Sequence, residues 1–482
     1  MLEKKEGSPA EKLGRILESG YFVPAALIYG LICWFFKLTF FAVYGYLAAF
    51  LLILIFCENV KNVFVPVLYI SYVIPDIVSD PHLVLYAVAV GTAYVSLFVF
   101  AIYRGLEKKK SGGRVVKGEL FFPFILFSVA LVLAGAIGNF NPLAAAITFG
   151  FCSVVLVLYF IALNFTKGLT DGLALTFLWG AAGLTLQVFL DAFLRSCKDF
   201  GPESFFAAQN VNVFAIMITL GIVSCFKLGA GKKTDAWYFL LSCVYYFGVL
   251  ETCCRMMIAV ATVLEIGVTV AFVVRSEKKT RFLYAGLCIL AIAGCSFAFY
   301  DELIKPIVDR VIRKMTGSFW SGRDEAFRFA IEKGREFPIF GYGFLAGEGD
   351  PSQREGILLI HNTVLQWICS LGYLGASLSV WFYASKYKVV FDKRNPQRAF
   401  TALYVLVIAL SGITDQAASM DIFYFLLPLL LVAGAESEIA KSSASVSSSA
   451  DSEASSSFVS SDAPSDVFSE GSGIPKRAES EK

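Results

Sequence analysis

The 482-residue sequence predicts an all-α integral membrane protein, a helical bundle of about 12–14 spans with one long, partly helical outer loop. Hydrophobic residues make up 57% of the chain and charged residues only 17%, and Phe alone occurs 46 times. Soluble domains average about 45–50% apolar and about 25% charged residues. The mean hydropathy of +0.67 points the same way. This composition excludes a soluble enzyme, a disordered protein and a secreted disulfide scaffold.

Fourteen apolar stretches are candidate transmembrane helices, because about 20 apolar residues cross a bilayer as a helix. Two points stay open. The first two stretches could form one re-entrant unit, and the ninth runs almost directly into the tenth. The stretches cover residues 21–36, 38–57, 62–78, 83–103, 119–138, 142–164, 172–194, 207–227, 236–252, 255–274, 281–299, 361–383, 399–415 and 420–436.

Lys and Arg are concentrated in alternate short loops, which is typical of loops on the cytoplasmic side. The opposite short loops contain almost none beyond Lys37 and Lys198. With fourteen spans, all basic loops and both termini fall on one side. The sequence therefore predicts a multi-pass protein of the cytoplasmic membrane with both termini in the cytoplasm. The basic loops contain Arg104, Lys108, Lys109, Lys110, Arg114 and Lys117, then Lys232 and Lys233, then Arg275, Lys278, Lys279 and Arg281, and finally Lys386, Lys388, Lys393, Arg394 and Arg398.

Composition divides the chain into five segments. The polar start of the chain, with its mixed charges, does not have the pattern of a cleaved signal peptide. The Ser-rich end lacks the apolar residues needed for packing and is expected to be disordered. The segments are a cytoplasmic N-terminal segment (1–20), a transmembrane bundle of about eleven spans (21–299), an extracytoplasmic loop (300–360), C-terminal spans (361–436) and a cytoplasmic tail (437–482).

The outer loop contains two predicted helices and a glycine-rich turn region. An apolar stripe predicts an amphipathic helix lying on the bundle or on the membrane surface. Ser321 and Asp324 then have the spacing of a capping box, followed by a helix through RDEAFRFAIEKGRE that stops at Phe337-Pro338. The stripe comprises Leu303, Ile304, Ile307, Val308, Val311, Ile312 and Met315, and the flexible turn region contains Gly341, Gly343, Gly347 and Gly349.

Charged residues near or within spans are costly and indicate functional or paired groups. Asp191 and Arg195 have the spacing of a helical ion pair, and so do Glu251 and Arg255 if their helix is continuous. Structural ion pairing is the alternative to function for both arginines. Glu265 lies near the middle of the tenth stretch with no partner close in sequence.

Four cationic or titratable side chains fall on the predicted outer side near the membrane surface. They are Arg195, Arg255, Arg323 and His361. His titrates near neutral pH, although a simple interfacial position is the alternative explanation for His361. Their common location predicts a site for an anionic lipid headgroup. Asn362 and Gln366 lie on a common helix face next to His361.

The stretches SGRDEAFRFAIEKGREFPIFGYGF and HNTVLQWICSLGYLG resemble the O-antigen ligase and O-antigen polymerase superfamily. Family members end a large outer loop with the pattern P-x-F-G-x-G, followed by H-N-x-x-L-Q and a G-x-x-G pair. The stretch ETCCRMMIAVA resembles a second family element, a Ser-Arg pair, with Cys254 in place of Ser and Arg255 as the Arg. The main pattern corresponds here to Pro338, Phe340, Gly341, Gly343, His361, Asn362, Leu365, Gln366, Gly372 and Gly375.

The resemblance implies a membrane glycosyltransferase of the GT-C architecture, inverting and independent of metal, which uses undecaprenyl-diphosphate-linked oligosaccharide as donor. A diphosphate leaves well when fixed cations meet its growing charge, and Arg binds phosphate through a planar fork. We therefore expect Arg255 and Arg323, with Arg195, to bind the diphosphate and His361 to act as general base towards the acceptor hydroxyl. Asn362, Gln366, Gly341 and Gly343 would support these groups. No cofactor is expected.

The leading hypothesis is a polymerase that joins lipid-linked repeat units of a surface polysaccharide. A ligase that transfers the finished glycan to another acceptor is the close alternative, and a lipid-linked oligosaccharide flippase is the alternative from another class. The expected partners are the lipid-linked donor, the glycan acceptor and the bilayer, with a flippase or a chain-length regulator as protein partners and no nucleic acid. A cation site is a weaker alternative, formed by Asp76, Asp80 and His82 or by Glu348 and Asp350.

Overall fold

The computed structural model describes residues 8–73, 83–137, 142–196, 211–252, 254–275, 323–343, 362–414 and 426–440, together with isolated positions between 286 and 312. Within these residues, 86% are helical and none lies in a strand. The all-α class predicted from the composition is therefore confirmed for the described part of the chain.

The helices follow the predicted apolar stretches closely. A 3-10 turn at Val60–Val63 precedes the fourth helix. The eleventh predicted span (281–299) and the amphipathic helix at 303–315 lie outside the described residues apart from isolated positions. In chain order the helices are α1 (Pro9–Glu18), α2 (Phe22–Phe35), α3 (Thr39–Phe56), α4 (Phe64–Val73), α5 (Leu83–Lys110), α6 (Phe121–Ile137), α7 (Pro142–Phe165), α8 (Leu169–Ser196), α9 (Val211–Gly229), α10 (Asp235–Thr252), α11 (Arg255–Arg275), α12 (Arg323–Glu336), α13 (Thr363–Val390), α14 (Arg398–Thr414) and α15 (426–440).

Six of the described helices are long and apolar enough to cross a membrane on their own, namely α3, α5, α7, α8, α11 and α13. The pair α1 and α2 passes that test only together and is bent by 79° at its junction. Helix α2 alone is about 21 Å long, whereas the hydrocarbon core is about 30 Å thick. These helices support a multi-pass membrane protein, and the count of fourteen spans remains a prediction.

The observed helix ends can be compared with three helix boundaries predicted from the sequence. Helix α10 ends at Thr252 and α11 begins at Arg255, and the two pack against each other as separate helices. Helix α12 covers the predicted stretch RDEAFRFAIEKGRE, although Ser321 of the proposed capping box lies outside the described residues. Helix α15 continues to residue 440, beyond the predicted end of the last span at 436.

The core is centred on α9, which packs against α8, α10, α11 and α14. Its side chains are apolar around the whole circumference, which is typical of a helix surrounded by other helices. The fully buried side chains Ile216, Ile218, Leu220, Ile222 and Val223 occupy positions on several of its faces.

Polar contacts bring predicted cytoplasmic segments together at one end of the bundle. The Glu18 carboxylate accepts hydrogen bonds from the backbone N–H groups of Glu58 (2.7 Å) and Asn59 (3.0 Å). The Asn59 side chain donates to the carbonyl of Lys167 and accepts from its N–H, at 3.1 and 3.0 Å. The end of α1 and the loops after α3 and α7 therefore meet at the same end.

Further contacts extend this end of the bundle to the C-terminal helices. Lys227 in α9 donates to Asp171 (2.7 Å) and to Gln397 (2.8 Å), which lies between α13 and α14. Lys388 in α13 pairs with Glu119 at 3.3 Å. The segments that these contacts bring together are ones that the basic loops predict to lie on the same side. Which membrane side this end faces remains a prediction from the Lys and Arg distribution.

That orientation can be tested with single cysteines on a background without native cysteines. We expect a cysteine within 300–360 to react with a membrane-impermeant thiol reagent in intact cells, because this loop is predicted to lie outside. A cysteine within 437–482 should react only after permeabilisation, which serves as the positive control. Labelling of the tail in intact cells would refute the predicted orientation.

Candidate functional site

Helix α12 packs along the first part of α13 with a small hydrophobic cluster between them. Ala330 and Cys369 are buried at its centre, and the surrounding side chains are Phe327, Phe329, Tyr342 and Leu365. After α12 the chain continues into residues 338–343, which we call the strap. The strap is the P-x-F-G-x-G part of the sequence pattern.

Helix α13 is broken at Gly372, which has φ 61° and ψ −169°. The break separates a first arm (363–371) from a second arm (373–390). In a continuous helix the N–H groups of Tyr373 and Leu374 would donate to the carbonyls of Cys369 and Ser370. The strap supplies partners for all four groups instead, so the break leaves none of them unpaired.

The strap and the break exchange four backbone hydrogen bonds. Tyr342 N–H donates to the Cys369 carbonyl at 2.7 Å, and Gly343 N–H donates to the Ser370 carbonyl at 3.1 Å. In return, the N–H groups of Tyr373 and Leu374 donate to the carbonyls of Pro338 (2.7 Å) and Ile339 (3.3 Å). The turn region predicted to be flexible is thus held in place at the strap, while Gly347 and Gly349 lie outside the described residues.

The two arms of α13 are sharply bent towards each other. Phe127 of α6 lies 4.9 Å from the ring of Trp367 in the first arm and 5.4 Å from that of Phe382 in the second arm, measured between ring centroids. A straight helix would separate these two positions by about 22 Å along its axis. The span predicted at 361–383 is confirmed as an apolar helical segment, and the structure adds a break within it at Gly372.

Two glycines of the sequence pattern, Gly341 and Gly372, allow the strap to approach the break in α13 closely. Gly341 has φ 75°, and a Cβ there would collide with the backbone of Ser370 and Leu371. A Cβ on Gly372 would lie 2.5 Å from the Ile339 carbonyl oxygen and 2.6 Å from the Gly341 nitrogen. Positive φ values favour glycine as well. The spacing of these glycines therefore encodes a close approach of two backbone segments.

Helix α12 packs against the first arm of α13, and the strap joins their C-terminal ends. The strap leads from the C-terminal end of α12 directly to the C-terminal end of the first arm. A Cβ on Gly334, near that end of α12, would lie 3.3 Å from the Ile368 side chain. Arg323 begins α12, and Asn362 precedes the first residue of α13. The side chain of Arg323 lies outside the described residues.

The two predicted supporting polar residues belong to the first arm. Asn362 is the N-cap of α13, and its side-chain oxygen accepts a hydrogen bond from Leu365 N–H at 3.0 Å. Gln366 is fully buried and donates from Nε2 to the Ser370 hydroxyl at 2.8 Å. Gln366 thus links the start of the arm to the break. His361 directly precedes the N-cap and lies outside the described residues.

The structure describes the predicted arginines to different extents. Arg255 is half-buried at the start of α11, and α10 ends at Thr252, so Glu251 and Arg255 lie on separate helices, as the two separate predicted spans require. Arg195 and Asp191 do share α8 at the predicted spacing, and Asp191 is buried, while the Arg195 side chain lies outside the described residues. The convergence of Arg195, Arg255 and Arg323 on His361 remains a prediction.

Glu265 has partners on the neighbouring helix. The Ser242 hydroxyl donates to its carboxylate at 2.9 Å, and the Cys243 thiol lies 3.5 Å from the same oxygen. These contacts come from α10, which could not be foreseen from residues close to Glu265 in sequence. They give the buried carboxylate a structural explanation.

No group of three or more His, Cys, Asp or Glu side chains that could hold a metal ion is found among the described residues. The cation site considered at Asp76, Asp80 and His82 lies outside them, and so does the site at Glu348 and Asp350. Metal independence therefore remains a prediction.

Lys333 strengthens the contact between α12 and the strap. Its ammonium lies 2.6 Å from the Glu336 carboxylate and 5.3 Å from the ring centroid of Tyr342. The hydrogen bond that the Lys333 ammonium donates to the Glu336 carboxylate raises the pKa of Lys333 above its ordinary value. The charged ammonium is therefore favoured at physiological pH, where it can interact with the aromatic faces of Phe329, Phe337 and Tyr342.

Sequence reasoning placed Lys386 in a cytoplasmic loop, and this is wrong. The structure places Lys386 inside α13, where it is only 3% exposed. The available signal was the pair of aromatic residues, Phe382 and Tyr383, one helical turn earlier. That spacing allows a lysine side chain to lie over aromatic rings on the same helix.

The sequence matches no protein-family model, and no curated protein matches it at a significant level. The geometry of the strap and α13 is therefore the physical basis for a functional proposal, beside the sequence resemblance.

The strap can be tested by adding one methyl group. Gly372→Ala should lower the free energy of unfolding by about 2 kcal/mol or more, because the left-handed backbone is strained for alanine and its Cβ meets the strap. Thermal denaturation in detergent gives the comparison. Gly267→Ala is the matched control, since a Cβ on that α11 glycine meets nothing within 4 Å. Equal melting temperatures for the two variants would contradict the docked strap.

Proposed function

We propose that the protein is a membrane glycosyltransferase that uses undecaprenyl-diphosphate-linked oligosaccharide as donor and polymerises repeat units of a surface polysaccharide. One observation carries the proposal. The described residues of the family-like pattern, which lie on either side of residues 344–361, form one compact unit made of α12, the strap and the bent α13. Asn362 is the N-cap of α13 in that unit.

The N-termini of α12 and of the first arm support the assignment of an anion-binding role to this unit. A helix N-terminus carries partial positive charge and unpaired N–H groups, which favour phosphate. Helix α12 begins at Arg323, and α13 begins two residues after His361 in the sequence. Each of the two residues that the resemblance assigns to chemistry is therefore at or next to a helix start in the sequence.

In the proposed mechanism, arginines bind the diphosphate and a histidine acts as the general base. Arg255 and Arg323, with Arg195, hold the diphosphate and stabilise the negative charge that grows on it as the glycosidic bond breaks. His361 takes the proton from the acceptor hydroxyl as that oxygen attacks the anomeric carbon. The sugar configuration inverts because the attack comes from the side opposite the leaving group. No metal is needed where arginines supply the positive charge.

The strap supports this mechanism by fixing the position of the first arm. Catalytic groups act best when their positions are set by packing and hydrogen bonds. Asn362, Gln366 and Ser370 connect the start of that arm to the break, where the strap closes it. A GT-C-like arrangement, with the reacting groups on the outer side of a helical bundle, is part of this proposal.

A ligase remains the close alternative, because ligase and polymerase share the donor and differ only in the acceptor. A flippase would use a cationic cavity at the middle of the membrane. The acidic residue that favoured this alternative, Glu265, is engaged by Ser242 and Cys243. The enzyme is therefore the better supported class.

The general base gives the most specific test of the enzyme proposal. His361→Gln should lower the rate of glycan transfer about 10²–10⁴-fold while donor binding persists, because Gln forms hydrogen bonds but cannot take the proton. Transfer of a synthetic undecaprenyl-diphosphate oligosaccharide in nanodiscs measures the rate, and donor binding is measured separately. Near wild-type transfer by His361→Gln would exclude the base role and favour a flippase.

The arginine assignment has its own test. Arg255→Lys keeps the charge and loses the bidentate fork, so we expect a large loss of polymer formation with normal membrane insertion. Polymer length in a complemented strain and protein level on a blot are measured together. Lys333→Arg, on the outer helix α12, is a control for substitution of one cation by another. Wild-type chain length in Arg255→Ala would remove Arg255 from the site.

A further inference from the structure

A buried ammonium group lies in the second arm of α13, at the end of the bundle opposite to the strap. The Nζ of Lys386 lies 3.8 Å from the ring centroid of Tyr383 and 5.0 Å from that of Phe382. No hydrogen bond or ion pair of this ammonium is found within the described residues. Contact with aromatic faces offsets only part of the cost of removing an ammonium from water. Among the described residues, the side chain of Lys386 therefore has aromatic neighbours and no counter-ion.

The carboxylates at this end of the bundle are already engaged by other groups. Glu119 pairs with Lys388 at 3.3 Å, and Asp392 pairs with Arg394 at 2.8 Å. The carboxylate of Glu436 accepts from the Tyr159 hydroxyl at 3.0 Å and from the Glu119 N–H at 3.2 Å. None of these three carboxylates forms an ion pair with Lys386.

The ammonium lies at the seam between α13 and α6. The ring of Phe382 beneath it is 5.7 Å from Phe124 and stacks on Phe127 at 5.4 Å. Helix α6 begins at Phe121, and its N-terminus adds partial positive charge at the same end. The seam therefore combines a buried ammonium with a helix N-terminus.

The surroundings indicate that this seam lies at the depth of lipid headgroups. Phe122 and Phe391 are 62% and 61% exposed, and the side chain of Lys388 is 74% exposed. Exposed aromatic and basic residues at the ends of spans are typical of the membrane–water interface. Clefts with basic residues between transmembrane helices bind anionic lipid headgroups.

We propose that Lys386 binds the phosphodiester of an anionic lipid headgroup at the seam between α6 and α13. With the predicted orientation, this lipid belongs to the cytoplasmic leaflet. The lipid phosphate supplies a counter-ion, and the lipid's acyl chains lie along the exposed apolar side chains of α6. The site is separate from the proposed outer glycan site and does not depend on the proposed activity.

The test compares the purified full-length protein in two kinds of nanodisc, one of phosphatidylcholine alone and one containing phosphatidylglycerol as well. The anionic lipid should raise the melting temperature of the wild type by a few degrees. Lys386→Met should lose this shift, whereas Lys388→Met, on the same helix but exposed, should keep it. An equal shift in wild type and Lys386→Met would overturn the proposal and leave the aromatic contacts as the only role of Lys386.

Two further measurements keep the proposal testable if Lys386→Met does not fold. Lys386→Arg should retain the shift because it keeps the cation, and its loss in a folded Lys386→Arg protein would count against the site. In native mass spectrometry, Lys386→Gln should retain less phosphatidylglycerol than the wild type, by a factor of about five or more. Inorganic phosphate is added to the protein in phosphatidylcholine nanodiscs as a further control. If it reproduces the full shift in melting temperature, the ligand is a soluble anion and the proposal is overturned.

Discussion

The four backbone hydrogen bonds between the strap and the broken α13 are the interaction on which the candidate site depends. Unpaired backbone groups at membrane depth cost several kcal/mol each, so a broken helix persists only where protein supplies partners. Residues 338–343 supply them at Cys369, Ser370, Tyr373 and Leu374. The bend of α13 at Gly372 and the connection of α12 to the first arm both depend on this pairing.

Much of the fold could be predicted from the sequence because the bilayer imposes a simple rule. A span needs a long apolar helix, so apolar runs give helix positions to within a few residues, as in α6 and α8. The helix of the outer loop was also predictable, since Pro338 has to stop it. The bend of α13 was not predictable in this way, because Thr363–Val390 is apolar along its length and the break depends on a segment from elsewhere in the chain.

The sequence indicated which residues belong to the candidate site, but it did not indicate how their backbones contact one another. Gly341, Gly343 and Gly372 belong to the sequence pattern, but only the structure shows that Gly341 and Gly372 face one another. Partners that lie on other helices, such as Ser242 for Glu265, leave no local signal. Lys386 was assigned to a loop because Lys usually marks the end of a span, and its burial depends on how α6 packs against α13.

The central claim is that the strap docks into the break of α13, and a disulfide tests it most directly. Tyr342 and Cys369 are hydrogen-bonded through their backbones and share a hydrophobic cluster, and Cys369 is a free thiol. In a protein with Tyr342→Cys, no other cysteine and a protease site within 344–360, mild oxidation should keep the two cleaved fragments together until reductant is added. A pair of cysteines known to be in contact serves as the control for the oxidation. If the control pair is coupled while the two fragments separate without reductant, the account is contradicted.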